Sequence, residues 1–329
     1  MNSTAYSVNI CRTDRNRSLA EDLEKALNAV NWRKLVPANS KVAIKINLCD
    51  YVPKLGVTTS PELLQCTIDL LRDFVADVKV VESDGLQYSA DYAIRATGLL
   101  NIIENAGSTF VNLTKDDFSY IKPRETLYVK KYRMPKTLSD CDIFITMPVM
   151  KTHELTLYTG ALKNQFGCYP QRNRVLLHPH LAEALVDINL ILKPKLVIMD
   201  AITAIEGNGP AKGFPKKMNL IITANNVVPC DATALQIMKI NVNRVRHVKL
   251  AADNNLGPLN GYELTGERIS DVSCNFVLPT RDVGNMFERM AGSNPFTCKL
   301  VYDTQFLRPI VKIGRVIRKR TLKGRTYYF

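Results

Sequence analysis

The chain has 329 residues, 46% of them apolar, which provides enough material for a large core and excludes a wholly disordered protein. Its first residues lack the apolar segment of a secretory signal, and no apolar run approaches the roughly 18 residues of a spanning helix. The net charge is +13, and the eight basic residues between Arg308 and Arg325 have no acidic residue among them. We therefore expect a cytoplasmic protein with acidic partners.

The first three-quarters of the chain alternates short β-branched runs with amphipathic stretches, which is typical of a parallel sheet with crossover helices. Strands are predicted, in chain order, at VNIC, KVAIKIN, VKVVES, CDIFITMPV, KLVIMD and MNLIITA, with additional strands at TLYVKKYRM and DVSCNFVL. Helices are predicted between them. One helix begins with Ser60 as N-cap and Pro61 in its first turn, and another runs through HLAEALVDINLIL.

These elements predict an α/β fold with a mostly parallel, twisted sheet, helices on both faces, and a site at the carboxyl ends of the strands. Residues 1–303 would form one large α/β domain, either as a single body or as two lobes. Residues 304–329 would form a basic amphipathic tail.

The eight cysteines predict no metal cluster built from a local motif. No two of them form a CxxC pair, and most lie in apolar segments such as CDIFIT. Zinc ribbons and iron–sulfur clusters need closely spaced cysteines. We therefore expect buried thiols in a reducing compartment and no iron–sulfur cluster.

Polar side chains follow four of the predicted strands, where an open α/β sheet places its ligands. The polar residues at these ends are Lys45, Asn47, Glu82, Ser83, Asp84, Lys151, His153 and Asp200. The alternative is that strand ends meet water and are polar for that reason alone. Lys45 and Lys151 argue against it, because both are embedded in otherwise apolar sequence.

The stretch from residue 147 to residue 180 contains three of the four histidines, His153, His178 and His180, together with Lys163 and Asn164. Neutral imidazole suits both a transition metal and proton transfer near neutral pH. The alternative is structural, since a lone histidine usually packs and HPH could cap the following helix.

Two further segments predict ligand contacts. In MDAITAIEGNGPAKG, Asp200 and Glu206 suit a hard divalent cation, and the amides of Gly207, Asn208 and Gly209 suit an anion. An ordinary turn with solvated acids is the alternative.

The segment GVTTSPEL brings Thr58 and Thr59 to a helix N-terminus, which favours a phosphate or carboxylate. The alternative is plain capping of the helix by Ser60 in the same segment.

The segments AIKINL, GVTTSPEL, VVESDG, MPVMKTHELTLYTGALKNQFG and MDAITAIEGNGPAKG, in this order, resemble the domain-of-unknown-function family 362. The resemblance implies an α/β protein with loose associations to redox chemistry, since many members carry a ferredoxin-like iron–sulfur module. This chain has no CxxCxxC cluster, so that centre is not carried over. The resemblance names no reaction, but it implies one site formed by Lys45, Asn47, Lys151, His153, Lys163, Asn164, Asp200, Glu206 and the turn at residues 207–210.

We therefore predict an enzyme that binds a small phosphate- or carboxylate-bearing substrate, with a divalent metal. The catalytic candidates are Lys45, Lys151, His153 and Lys163. The substrate-binding candidates are Asn47, Thr58, Thr59, Asn164, Gly207, Asn208 and Gly209. The metal candidates are Asp200, Glu206, His153, His178 and His180. The alternative is a non-catalytic or redox-partner protein that docks on other proteins or on a membrane surface.

The tail sequence TQFLRPIVKIGRVIRKRTLKGRTYYF places Phe306, Ile310, Ile313 and Ile317 at helical spacing. A basic amphipathic helix of this kind predicts attachment to an anionic membrane surface at its inner, cytoplasmic face. A helix packed on the domain and a nucleic-acid-binding tail are the alternatives, of which nucleic acid is the less favoured.

Overall fold

The computed structural model describes residues 6–13, 16–86, 88–280 and 294–302. The tail predicted over residues 304–329 lies outside the described residues, and its interpretation stays a prediction. The division into one domain or two lobes also stays a prediction.

The strands among the described residues are β1 (Ser7–Arg12), β2 (Lys41–Lys45), β3 (Asp77–Glu82), β4 (Thr109–Asn112), β5 (Phe118–Ile121), β6 (Tyr132–Pro135), β7 (Ile143–Thr146), β8 (Val149–His153), β9 (Leu157–Thr159), β10 (Leu196–Glu206), β11 (Phe214–Ala224) and β12 (Glu263–Gly266). The helices are α1 (Leu19–Ala29), α2 (Trp32–Leu35), α3 (Pro61–Arg72), α4 (Ala90–Ala96), α5 (Leu99–Asn105), α6 (Lys136–Asp140), α7 (Ala161–Asn164), α8 (Leu181–Leu192), α9 (Val227–Ile237), α10 (Arg246–Asp253), α11 (Ile269–Val272) and α12 (Pro295–Tyr302).

The main sheet has ten strands, with the path β12-β1-β11-β10-β7-β2-β3-β4 and the pair β8–β9 attached to β10. Neighbours from β10 to β4 run parallel, and the antiparallel pairs are β11 with β1, β11 with β10, and β8 with β9. The prediction of a mostly parallel sheet is therefore confirmed. The chain order reverses between β2 and β7, which creates a crevice where ligands commonly bind.

Helices cover both faces of this sheet because its strands alternate their apolar side chains. In β10, Ile198 packs into a core cluster with helices α1 and α3, whereas Val197 and Met199 pack into a second cluster with α7 and α9. The two-residue period of a strand sends neighbours to opposite faces, so one apolar run serves both layers. The prediction of helices on both faces is confirmed.

Two of the predicted strands are wrong in whole or in part. Residues 126–134 contribute only the start of β6, which pairs with β5 as a separate two-stranded sheet. Residues 271–278 form no strand, because α11 ends at Val272 and the chain then continues without regular structure to residue 280. In both segments, aromatic and β-branched composition suggested a strand, but most of the residues find no partner strand.

One described segment, Asn173–Leu192, has the length and apolar composition of a spanning helix, contrary to the expectation from sequence. Half of its most apolar window is buried inside the protein. It consists of a 3₁₀ segment, Arg172–His180, followed by α8. Core helices of soluble proteins have the same properties, so this finding is weak evidence for a membrane span.

Candidate functional site

A cleft of about 350 Å³ opens at the carboxyl ends of β2 and β3, next to β8, α7 and the 3₁₀ segment Arg172–His180. Six of the residues predicted for the site line it: Lys45, Asn47, His153, Lys163, Asn164 and His178. The crevice between β2 and β7 therefore gathers side chains from five separate stretches of sequence, as parallel strand ends do in open α/β sheets.

Lys45 and Glu82 form a buried ion pair at the back of the cleft. The Lys45 Nζ atom lies 2.7 Å from Glu82 Oε2 and 2.7 Å from the carbonyl oxygen of Ile46, to which it also donates. Glu82 accepts further hydrogen bonds from the backbone amides of Leu48 and Ser83. The pair forms because β2 and β3 are parallel neighbours, so their last residues end side by side. The two charges of the pair compensate each other, so the pair presents little net charge to a ligand.

Gly167 allows the chain to pass directly over this ion pair. A Cβ atom at residue 167 would lie 2.4 Å from Glu82 Oε1 and 2.7 Å from Lys45 Nζ. Its carbonyl oxygen accepts a short hydrogen bond from the hydroxyl of Ser83. Only glycine fits this approach without moving the buried pair.

Lys151 lies behind the cleft wall, fully buried, and organises the loop that follows β2. Its ammonium group donates to Asn47 Oδ1 at 2.5 Å and to the carbonyl oxygen of Val57 at 2.6 Å, and it lies 3.4 Å from Cys49 Sγ. Burial lowers the pKa of Lys151 below its ordinary value. Within this geometry Lys151 supports the cleft electrostatically and positions Asn47.

The side-chain amides of Asn47 and Asn164 are held by a hydrogen-bonded chain. Asn47 Nδ2 donates to Asn164 Oδ1 at 3.3 Å, and Asn164 Nδ2 donates to the carbonyl oxygen of Lys45 and to Thr146 Oγ1. Thr59 Oγ1 accepts from the backbone amide of Asn47 at 2.8 Å. These contacts fix both amides at the cleft floor.

The one-turn helix α7, which carries Lys163 and Asn164, is capped by Asp231 of α9. The Asp231 carboxylate accepts from the backbone amides of Ala161 at 2.6 Å and Leu162 at 2.9 Å, and from the hydroxyl of Tyr158 at 2.8 Å. Gly160, which precedes the helix, supplies no side-chain cap. Asp231 therefore satisfies backbone donors that a helix N-terminus leaves open.

Lys163 presents an ammonium group to the cleft without a compensating carboxylate. Its Nζ atom lies 5.9 Å from the ring centroid of Phe166 and forms no ion pair with any residue that the structure describes. Burial, reinforced by the positive charges of Lys151 and Arg174, lowers the pKa of Lys163 to about 8. A lysine in this state binds anions when protonated and can exchange its proton near neutral pH.

His153 is neutral and has a defined tautomer. Its Nδ1 atom accepts a hydrogen bond from the backbone amide of Leu155 at 3.0 Å, so the ring proton resides on Nε2. Burial, followed by the nearby charge of Lys163, holds the pKa of His153 well below its usual value. An imidazole in this form donates from Nε2 and offers no free lone pair to a metal.

Arg174 and His178 extend the cleft wall from the 3₁₀ segment. Arg174 donates to Ser83 Oγ and to the carbonyl oxygen of Tyr169, and it forms no ion pair with a described carboxylate. His178 stacks on Phe166 with ring centroids 5.8 Å apart. Burial, with Lys163 and Arg174 nearby, lowers the pKa of His178 to about 4, so this ring is neutral at physiological pH.

Asp200 and Glu206 do not line the cleft. Asp200 is buried beneath the start of α3, where its carboxylate accepts from the backbone amides of Ser60 at 2.8 Å and Ile202 at 3.1 Å. Burial raises the pKa of Asp200 to about 6. Glu206 pairs with Lys216 at 2.8 Å and accepts from the backbone amide of Val277. Both carboxylates are engaged in structural contacts.

The other predicted residues also lie around the cleft rather than in it. Thr58 and Thr59 are buried beside the loop after β2. Residues 207–209 belong to the turn between β10 and β11, whose next residues, Pro210, Ala211 and Lys212, do reach the cleft rim. His180 stacks on Tyr128 with ring centroids 4.3 Å apart.

Of the five metal candidates, His153 and His178 line the cleft, whereas Asp200, Glu206 and His180 lie outside it. Within residues 6–13, 16–86, 88–280 and 294–302, no three His, Cys, Asp or Glu side chains come together in a group that could hold a metal. Both carboxylate oxygens of Asp200 and Nδ1 of His153 accept hydrogen bonds from backbone amides, and Glu206 accepts through Oε2. No chemical step is assigned to a metal ion.

The sequence predictions missed several cleft residues, among them Cys49, Tyr88 and Arg174. Cys49 follows Asn47 by two residues in the same loop, and Arg174 lies within the histidine-rich stretch, so position along the chain could have indicated both. Tyr88 donates its hydroxyl to the carbonyl oxygen of Leu48 at 3.0 Å. No local pattern marks it, because it reaches the cleft through the tertiary fold.

Two similar proteins give partial matches. Thylakoid-associated protein sll1697 from Synechocystis sp. (strain ATCC 27184 / PCC 6803 / Kazusa) is 31% identical over 116 residues, which cover 33% of this chain and 36% of that protein. The lactate racemase apoprotein from Thermoanaerobacterium thermosaccharolyticum superposes with a TM-score of 0.46 at 12% identity, over 71% of this chain and 57% of that protein. The matched part spans about a third of the Synechocystis protein.

The model of a family described as Domain of unknown function (DUF362) matches residues 42–236. This range is more than half of the chain and contains the strands, loops and helices that build most of the cleft, from Lys45 to Asp231. The resemblance drawn from the sequence segments is thereby confirmed, and the chain belongs to the DUF362 family.

Proposed function

We propose that the cleft binds a small molecule bearing a phosphate or carboxylate group and that the protein acts on this molecule as an enzyme. One observation carries the proposal. Lys163 and Arg174 face the same cleft, and neither has a carboxylate partner among the described residues. Uncompensated cations in a partly desolvated cleft attract an anion strongly, because the field is screened less there than in water.

The remaining groups suit a chemical role. Lys163, with a pKa of about 8, can donate or accept a proton near neutral pH. His153 offers an Nε2–H donor in a fixed direction. The amides of Asn47 and Asn164, held by their own hydrogen bonds, would orient a polar ligand without rearrangement. In this proposal Arg174 anchors the anion and Lys163 exchanges the proton.

Calorimetric titration with phosphate, sulfate and malonate tests the binding step. We expect wild-type protein to bind at least one of these anions and Lys163→Met to lose roughly tenfold or more in affinity. Lys41→Met is the matched control, because Lys41 is exposed at the opposite end of the same strand as Lys45. If no anion binds, or if both variants bind like wild type, the proposal is wrong.

The divalent metal stays a prediction. Elemental analysis after dialysis, repeated with Asp200→Asn and Glu206→Gln, tests it directly. Stoichiometric manganese, magnesium or zinc that both variants lose would support a metal site at these carboxylates, and protein free of metal that still binds anions would contradict it.

We also propose that residues 304–329 attach the protein to an anionic membrane surface. The basic amphipathic sequence of this segment favours that role, and one partial relative carries the name of a thylakoid-associated protein. Sedimentation with anionic liposomes, compared before and after truncation behind Asp303, tests this. Binding that survives truncation unchanged would contradict it.

A further inference from the structure

The hairpin of β5 and β6 forms a two-stranded sheet of its own with one face packed and one face open. Its register places Tyr120 opposite Arg133, so these two side chains share a face with Phe118, two residues earlier. On the other face, Ile121 and Tyr132 pack in a hydrophobic cluster with residues of α8. The hairpin is thus anchored by one side and presents the other outward.

Aromatic and aliphatic side chains are unusually exposed on this hairpin. Phe118 and Tyr120 expose 45% and 53% of their surface, and Leu127 and Tyr128, in the connecting loop, expose 42% and 37%. The rings of Phe118 and Tyr120 pack edge to face with centroids 5.3 Å apart. Such clustered apolar exposure marks an interaction surface rather than ordinary surface composition.

Positive charge surrounds these rings. Residues 118–133 contain five basic residues and one acidic residue, Glu125, and none of the five forms an ion pair with a described carboxylate; the basic residues are Lys122, Arg124, Lys130, Lys131 and Arg133. Lys131 Nζ lies 3.7 Å from the ring centroid of Tyr120, and the guanidinium of Arg133 lies 3.7 Å from that of Phe118. The surface is therefore both cationic and aromatic.

We propose that this hairpin face docks on the surface of an anionic lipid bilayer. Aromatic rings are favoured at the level of the lipid headgroups, and basic side chains beside them are attracted to the lipid phosphates. A single-stranded nucleic acid would instead need free ring faces for its bases. Here a cation already covers one face of each ring, and the rings pack against each other. A bilayer surface can bind the rings and their neighbouring cations in this arrangement, without any rearrangement of the side chains.

The test uses the full chain and vesicles of phosphatidylcholine with and without phosphatidylserine. The hairpin variant carries Phe118→Ser, Tyr120→Ser, Lys131→Ser and Arg133→Ser. Each basic residue near an anionic surface contributes about 1 kcal/mol, and this variant lacks two of them. We therefore expect partition of the variant into vesicles with phosphatidylserine to fall roughly 30-fold or more. A control with Phe214→Ser, Lys217→Ser and Lys239→Ser removes an exposed ring and two exposed lysines elsewhere and should partition like wild type.

Two further measurements distinguish the contribution of the hairpin to lipid binding from that of the tail and from a loss of folding. A full chain with Arg315→Ser, Arg318→Ser and Arg320→Ser weakens the tail, and adding the hairpin substitutions to it should reduce partition further. A milder variant, Lys130→Ser with Lys131→Ser, changes only exposed lysines and should still lose roughly 30-fold. Unchanged partition of both hairpin variants, or a loss of single-stranded DNA binding without any loss of lipid binding, would overturn the proposal.

Discussion

The ammonium group of Lys45 and the carboxylate of Glu82 lie 2.7 Å apart at the ends of two adjacent parallel strands, with the lysine side chain 1% and the glutamate side chain 7% exposed. This pairing separates two kinds of lysine in one cleft. Lys45 is neutralised by the protein, whereas Lys163 forms no ion pair with a described residue. Lys163 and Arg174 are therefore cations of the cleft lining that form no ion pair with a described carboxylate, whereas Lys212 at the rim lies 3.9 Å from Glu154.

The first prediction concerns the buried pair. Glu82→Gln should lower the free energy of unfolding by about 3–5 kcal/mol, because it leaves the Lys45 charge buried without its counter-charge. The double variant Lys45→Met with Glu82→Gln should lose clearly less than the sum of the two single variants, since both charges are removed together. Urea denaturation of wild type, Lys45→Met, Glu82→Gln and the double variant measures this coupling. A loss in the double variant that equals the sum of the two single losses would show that the two charges are not coupled.

The second prediction is a pH dependence of anion affinity. The pKa of Lys163 is lowered to about 8, so its positive charge is present below that pH and is lost as the pH rises through it. Sulfate keeps its charge over this range, and its affinity should fall roughly tenfold between pH 7 and pH 9. Lys163→Arg should remove this dependence, because arginine stays protonated. A wild-type affinity that does not change with pH would contradict the assignment of Lys163.

The third prediction links α9 to the cleft. Asp231→Ala leaves the amides of Ala161 and Leu162 and the hydroxyl of Tyr158 without their acceptor, which should cost about 3 kcal/mol of unfolding free energy. Because α7 loses its cap, anion affinity should fall as well. Asp231→Asn keeps one acceptor oxygen and should give an intermediate loss in both measurements. If Asp231→Ala is destabilised but binds anions with wild-type affinity, the cap on α7 is not needed for anion binding and the prediction is wrong.

The fourth prediction concerns acid stability. His247 is 2% exposed, its Nε2 atom has no hydrogen-bond partner within the described part of the chain, and burial lowers its pKa to about 3. Below pH 6.5 the unfolded chain therefore binds a proton that the native protein does not, so stability falls as the pH decreases towards 3.

His247→Phe removes the imidazole that takes up this proton in the unfolded chain, and it keeps an aromatic ring against Tyr158. Relative to wild type, the variant should gain about 3 kcal/mol of unfolding free energy on going from pH 7 to pH 4. Denaturation curves at both pH values give this difference. A stability difference that is the same at both would mean that His247 is not the group being titrated.

The architecture could be predicted because its signals are local. Alternating apolar runs indicated the strands, and the cap at Ser60 marked the start of α3, where its hydroxyl accepts from the amide of Leu63. The rule that ligands gather at strand ends also located Lys45 and Asn47. These inferences need only the period of the side chains and the direction of the strands.

The roles of individual side chains could not be predicted in this way, because they depend on distant partners. Nothing near Glu82 in the sequence indicates that its carboxylate binds Lys45, 37 residues earlier. Asp200 follows an apolar run as a metal ligand would, yet its oxygens accept from the amides of Ser60 and Ile202. A polar residue at a strand end is required equally by a ligand and by a neighbouring backbone, and only tertiary contacts distinguish the two.

The cap on α7 has a consequence for biosynthesis. The helix has only four residues, too few to persist without outside support, and the carboxylate that caps it belongs to Asp231, 70 residues after Ala161. A nascent chain that emerges from the ribosome can pair Lys45 with Glu82 long before it can place Lys163. A growing polypeptide should therefore become able to hold an anion only after α9 has left the exit tunnel.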